Sequence, residues 1–408
     1  WRSPTCHLGT RPIGDPNMLV QKIISILERF ENPNYPVFGP NIRALYWLGM
    51  WQDENKHRNS FFNFVYLFTV LFVVSEFVEL YFERNDPMKV LLNSSVAIST
   101  VVTVSKVIVF LFNLKRWKVL VENISREEIS ALENNDPKVV ELMKGYKKYA
   151  RIITYSYSSV VLMTNFAVVS LPFIKYLTVP SYREMIKDGT EPYPQIFNSW
   201  FPFDKTKMPG YVLVVLVHVG ISTLAAGVTA FYDSTATVVM VFSKGQLQIL
   251  RYKCEQIFGE SENISRNEVM NNIKECHRLH NFIVEQHNTF NTITAPATFA
   301  YVLLCSIMIL AFSQKIMVLE FTFFLTFELF LFCWHSNEMS DNVDQGVYSS
   351  NWWRGDVHLR KQVLLLAGKL SPRLILDAGP FTTFSTSTFI NVASYSFYTL
   401  FTQNIHDD

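Results

Sequence analysis

Seven long apolar runs divide the chain, with polar and charged stretches between them. They fall at about Phe61–Phe82, Val90–Asn113, Ile152–Leu177, Tyr211–Phe242, Ile293–Ser313, Val318–Trp334 and Phe381–Phe401. As helices these runs match the hydrocarbon thickness of a bilayer, which needs roughly 20 apolar residues. The pattern predicts an all-α, polytopic membrane protein with seven transmembrane helices. The fourth run continues through Phe231-Tyr232-Asp233 towards Arg251. A helix that long projects from the membrane at one end. The third and seventh runs are rich in Ser, Thr and Tyr. The seventh carries Thr, Ser and Asn as a stripe, as a helix does when one face meets protein or lipid and another meets a pore.

Composition agrees. Apolar residues make up 49% of the 408, and charged residues 17%, against about 25% in soluble domains. The formal net charge is +1, so there is no basic field for nucleic acid. Five Cys, at 6, 254, 276, 305 and 333, have the spacing of neither a metal site nor a disulfide framework. The chain opens on Trp1 rather than Met, which points to sequence before it, and nothing there reads as a cleavable signal peptide.

Charge fixes an expected orientation. Of the 36 Lys and Arg, 27 lie in the N-terminal segment and in the connections 115–151, 244–278 and 354–373, against 7 on the other side. The positive-inside rule then predicts a cytoplasmic N-terminus and an external C-terminus. The sequons at Asn123 and Asn263 fall in loops placed inside, and the long outer loop Thr178–Gly210 has none. A G-protein-coupled receptor would have the opposite orientation. Its third-helix acidic-Arg-aromatic triplet is missing, and Asn32-Pro33-Asn34-Tyr35 lies before the first span, where it reads as a turn. The chain carries no phosphate loop, His-Glu-x-x-His or dinucleotide glycine pattern, so no enzyme and no cofactor is expected. It has no inverted repeat of the transporter kind.

The C-terminal third carries a family signal. Ser336-Asn337-Glu338, Val347 to Trp353, Leu359 to Leu366, Ala378-Gly379-Pro380-Phe381, Thr388-Phe389 and Ser394-Tyr395-Ser396 resemble the insect odorant receptors. Topology and loop lengths elsewhere are similar to that family. The sister gustatory receptors end in a different motif, with which the Tyr395-to-Gln403 spacing and Asn404 disagree. The universal co-receptor has a longer second intracellular loop than Lys244–Arg278, so the chain looks like a ligand-tuned subunit. It departs from many relatives in having only Ile390 to Ala393 between Thr-Phe and Ser-Tyr-Ser.

The resemblance implies a small volatile ligand and a non-selective cation channel assembled with the odorant co-receptor, as a heterotetramer in the plasma membrane of a sensory dendrite. It divides the chain into a cytoplasmic segment (1–60), helices one to four with an outer-half pocket (61–242), cytoplasmic anchor helices (243–292), helices five and six (293–334), the anchor part of helix seven (335–376) and a pore-lining helix with a short tail (377–408). It places the pocket at Asn93, Val96, Ala97 and Thr100, then Asn165, Phe166, Val169 and Ser170, then Val215, His218, Val219 and Ser222, with Phe321 and Phe324 on the sixth helix. It places a dewetting gate at Leu400, with Phe401, Thr402 and Gln403 beside it. Read as residues, His218 either bonds a Ser or Asn on a neighbouring helix or donates to a ligand. Lys106 is expected to snorkel and Asp233 to pair with a basic anchor residue. Structural roles are expected for these two and for Lys175, Glu320 and Glu328. A metabotropic seven-helix chemoreceptor and a gustatory-receptor-like channel are the alternatives.

Overall fold

The computed structural model describes residues 30–133, 136–259, 264–310, 316–339, 343–379, 382–392 and 394. Helix follows helix: α1 (Gly39–Trp47), α2 (Lys56–Phe82), α3 (Pro87–Phe112), α4 (Leu114–Glu133), α5 (Pro137–Thr178), α6 (Pro180–Lys187), α7 (Gly210–Glu255), α8 (Arg266–Leu310), α9 (Ile316–Glu338), α10 (Asp344–Ser349) and α11 (Val357–Leu370). A last helical stretch begins at 386. No strand occurs among the described residues, only an isolated bridge between Asp377 and Thr383.

Local chemistry starts these helices. Asn55 caps α2 by accepting from the Arg58 amide at 3.2 Å. Asp136 caps α5 by accepting from the Lys138 amide at 2.9 Å and the Val139 amide at 3.4 Å. Pro137 follows, at a position whose N–H would have no helical partner. Asp356 caps α11 through the Leu359 amide at 2.7 Å.

The first six expected spans lie in α2, α3, α5, α7, α8 and α9, and the seventh is described only at 382–392 and 394. Among the described residues α2, α5 and α7 are each long and apolar enough to cross a membrane; α3 and α4, bent by 73° at Asn113, together form a fourth candidate. The outward faces of α2 and α5 carry exposed Phe64, Leu67, Leu71, Met163 and Phe166, side chains that suit lipid and not water. α7 extends well beyond its apolar run, as its length predicts.

The α5–α7 pair makes the most extensive helix contact. Its close approach depends on Gly245, where an added Cβ would lie 2.4 Å from the Tyr146 ring. Lipid supplies no hydrophobic drive between helices, so small residues and close packing hold such pairs together. At the charged end of the bundle, Arg278 on α8 donates to both oxygens of Glu127 on α4, at 2.7 and 3.1 Å. Arg278 also bonds Glu275, which Lys253 on α7 joins at 2.9 Å. The Arg278 hydrogen bond, with Lys253 adding to it, pulls the Glu275 carboxyl down to about 2. Its folded-state value is below its ordinary one, so its contribution to stability is present above about pH 4.5 and lost as pH falls towards 2. Half-exposed, the cluster contributes less than about 1 kcal/mol per pair.

The turn into the last helix is narrow. Gly379 has φ +81° and packs under Phe299, whose ring would lie 2.4 Å from an added Cβ. Asn291 brackets the turn, donating to Asp377 Oδ2 at 2.7 Å and accepting from the Asp377 amide at 2.9 Å. Gly379→Ala is therefore expected to destabilise the purified receptor by more than about 1 kcal/mol. Gly368→Ala, on an open face of α11, should cause no loss. Thermal unfolding of the two variants in detergent checks this.

Candidate functional site

A cavity of about 100 Å³ lies among α2, α3, α5 and α7. Its walls are mostly apolar: Phe72 from α2, Val96 from α3, Val161 and Val168 from α5, Ile221 from α7. Polar residues also line it: Ser99, Thr100, Thr103, Thr164, Asn165, Ser222 and Thr229. Thr100 and Thr103 turn their hydroxyls back onto the carbonyls of Val96 and Ser99, at 3.0 and 3.1 Å, and so present mainly methyl groups. Asn165 and Ser222 face each other across α5 and α7, the Ser222 hydroxyl donating to Asn165 Oδ1. That bond orients the amide and leaves its NH₂ to donate to a ligand oxygen. A mostly apolar cavity with an oriented amide donor suits a small, mostly hydrocarbon molecule bearing a carbonyl, ether or hydroxyl.

One wall comes from the segment between α6 and α7. Phe197 lines the cavity, and its segment is tied down at several points. Ser199 Oγ bonds His218 Nε2 at 2.8 Å. Lys205 Nζ reaches Glu79 at 2.6 Å and the Ser199 carbonyl at 2.9 Å. The Trp200 amide donates to the Ser75 carbonyl at 3.2 Å. The His218 ring sits edge-on to Phe72 and Phe197, with centroids 5.7 and 5.6 Å away.

Four residues expected at the pocket line this cavity: Val96, Thr100, Asn165 and Ser222. Val169, Val215 and Val219 pack around the neighbouring Val96–Val168–Phe197 cluster, one layer back. Ala97 is fully buried in packing, and Ser170 is half-buried. Asn93 bonds Glu83 at the end of α2, away from the cavity. Phe166 is 73% exposed and points away from the cavity. His218 is fully buried, and its Ser partner lies on the segment between α6 and α7, not on a neighbouring helix. Phe321 and Phe324 lie on α9, but their side chains are outside the described residues, as are Leu400, Phe401, Thr402 and Gln403 entirely. The sequence reading missed the other lining residues, Phe72, Phe197, Val161, Val168 and Ile221 among them. For Phe197 the density of aromatics at Phe197, Trp200, Phe201 and Phe203 in one loop was the available signal.

One expectation is corrected. Lys106 does not snorkel: it is 3% exposed, and its ammonium pairs with Asp233 Oδ2 at 2.8 Å and Glu328 Oε1 at 2.6 Å. Asp233 thus finds its cation within the span, not in the anchor. Tyr157 OH donates to Asp233 Oδ2 at 2.9 Å, and the Tyr301 ring lies 5.2 Å from the ammonium. Sequence spacing could not show that residues on three distant helices meet. Lys106 and Asp233 lie about one turn below the cavity residues Thr103 and Thr229, so the charged cluster forms the layer beneath the cavity.

A family profile described as 7tm odorant receptor matches residues 86–397. The chain belongs to that family. Among its relatives, odorant receptor Or2 of Anopheles gambiae is 22% identical over 387 residues, covering 90% of this chain and 97% of that one. The olfactory receptor OR5 of Machilis hrabei shares the fold, with a TM-score of 0.76 at 13% identity over 96% of this chain and all of that one. The same OR5 in complex with eugenol aligns with a TM-score of 0.68 at 15% identity, covering 95% and 99% of the two chains. The chain is thus a polytopic, helical odorant receptor, in a family of receptors and not of enzymes.

Asn165→Leu is expected to weaken responses to oxygenated ligands at least about tenfold, the scale of one lost buried hydrogen bond of about 1.5 kcal/mol. Responses to pure hydrocarbons should change little. Dose–response curves for matched pairs, such as an alkyl ketone and its alkane, read the difference.

Proposed function

We propose that this receptor is a ligand-tuned subunit of an odorant-gated, non-selective cation channel, assembled with the odorant co-receptor in the plasma membrane of a sensory dendrite. The observation that carries the reading is the mostly apolar cavity with one oriented amide, in a chain of the odorant receptor family. A small volatile gains affinity there from burial and orientation from one hydrogen bond. Its binding shifts the channel only by its differential affinity for the open and closed arrangements. The packing supports a route from cavity to pore. The charged cluster lies under the cavity, and on the same α9 helix Phe332 packs on Phe384 and Phe330 on Phe389, both close to the start of the last helix. In this reading the last helix lines the pore. Leu400 closes it by dewetting, with Phe401, Thr402 and Gln403 beside it. The absence of an acidic ring in that segment of the sequence fits weak selectivity.

Whole-cell recording from cells carrying this chain with the co-receptor, and each alone, tests the proposal. Fast cation current that needs both subunits and survives G-protein block is expected. Slow, G-protein-dependent signals from this chain alone would overturn it in favour of a metabotropic receptor. In the same cells Leu400→Ala should raise ligand-independent current, because a smaller ring of apolar groups holds water out less well.

A further inference from the structure

A second void of about 170 Å³ lies between α2, α3 and α7. On α3 the odorant cavity is walled by positions 96 to 103 and this one by positions 103 to 111, and the two voids share Thr103 and Ala225. Every hydroxyl on its wall is already used. Tyr66 OH donates to the Leu48 carbonyl at 2.6 Å, Thr69 to Val65 at 3.0 Å and Thr103 to Ser99 at 3.1 Å. What remains is aliphatic, from Val70, Val104 and Val107 among others. Two residues at its rim, Leu67 and Ile108, are 57% and 42% exposed, on surfaces that these spans turn to lipid.

We propose that this void is a second binding site, walled by hydrocarbon groups, which takes a small uncharged aromatic or short-chain aliphatic molecule from the bilayer and passes it to the odorant cavity. Size and lining carry the first half. An apolar cavity of about 150 Å³ stays dry and admits benzene, and this one is slightly larger. For a molecule already dissolved in lipid there is no hydrophobic gain. The stabilisation comes from filling a space whose walls otherwise lack partner atoms. With no free donor or acceptor, the site cannot distinguish oxygenated from plain hydrocarbons, whereas the odorant cavity can through Asn165. The shared Thr103 and Ala225 carry the second half, since only one layer of side chains separates the two voids. That second half rests on the odorant-channel reading; the first does not.

The test uses the full chain in nanodiscs with a single-ring aryl diazirine as probe, photolysed and mapped by peptide mass spectrometry. Labelling of segments 66–70 and 104–111 is expected, saturable by excess toluene. Filling the void from opposite walls by Val104→Phe or Val70→Phe should each reduce it at least about fivefold. Label on the exposed Phe61 and Phe64 should stay unchanged. The toluene competition needs no variant, so it holds even where a substitution prevents folding. Label that does not saturate and matches the lipid-facing control would mean simple partition into lipid and would overturn the site. Label confined to the odorant-cavity segments would overturn it equally. In cells with the co-receptor, Val104→Phe should slow the rise of current to a hydrocarbon ligand about fivefold while leaving the saturated current unchanged. An unchanged rise would remove the link between the two voids. Photolabelling is read without any current, so a silent channel would count against the proposed function and not against this site.

Discussion

One ammonium group holds two carboxylates in the middle of the helix bundle. Lys106 comes from α3, Asp233 from α7 and Glu328 from α9, with Tyr157 of α5 and Tyr301 of α8 closing around them. All three charged side chains are almost fully buried. Removing charges from water costs several kcal/mol each, and only their mutual bonding offsets this. The five helices are therefore constrained to a single register at this level. A shift by one residue on α3, α7 or α9 would leave a charge unpaired where neither lipid nor water can reach it.

The rest of the architecture fits around that layer. Above it, the bundle opens into the cavity, where Ser, Thr, Ala and Asn side chains on α3, α5 and α7 sit among Val and Ile. Beside it lies the lateral void, walled by aliphatic groups. Beyond the cluster, the helices become charged and pair through Arg278, Glu127, Glu275 and Lys253. The same α9 that supplies Glu328 also supplies Phe330 and Phe332, which touch the stretch beginning the last helix. A displacement at the cavity floor thus has a packed path towards that helix. It runs through a charged cluster that has few alternative arrangements.

Much of the architecture was legible in the sequence because lipid imposes long uninterrupted apolar runs. The overlong fourth run became α7, and the motif around Gly379 became a turn that only glycine fits. Side-chain partners were less legible. Helical spacing along α3 shows which positions share a face with Val96, but not which neighbour that face meets. So Val96 and Thr100 were found while Asn93, one turn away, bonds Glu83 instead. Phe197 escaped because a loop has no periodicity from which to infer its path. Lys106 was misread for a related reason: a lone cation in a span looks isolated until the carboxylates from positions 233 and 328 are brought beside it.

The charge cluster can be tested through its asymmetry. Purified receptor in nanodiscs would be unfolded thermally as the parent, as Lys106→Met, and as Lys106→Met with Asp233→Asn and Glu328→Gln. Losing the cation alone leaves two buried carboxylates facing each other and should cost about 3–5 kcal/mol. Neutralising all three should recover most of that loss. A single Lys106→Met variant as stable as the parent would contradict the account, because the bundle would then be held by packing alone.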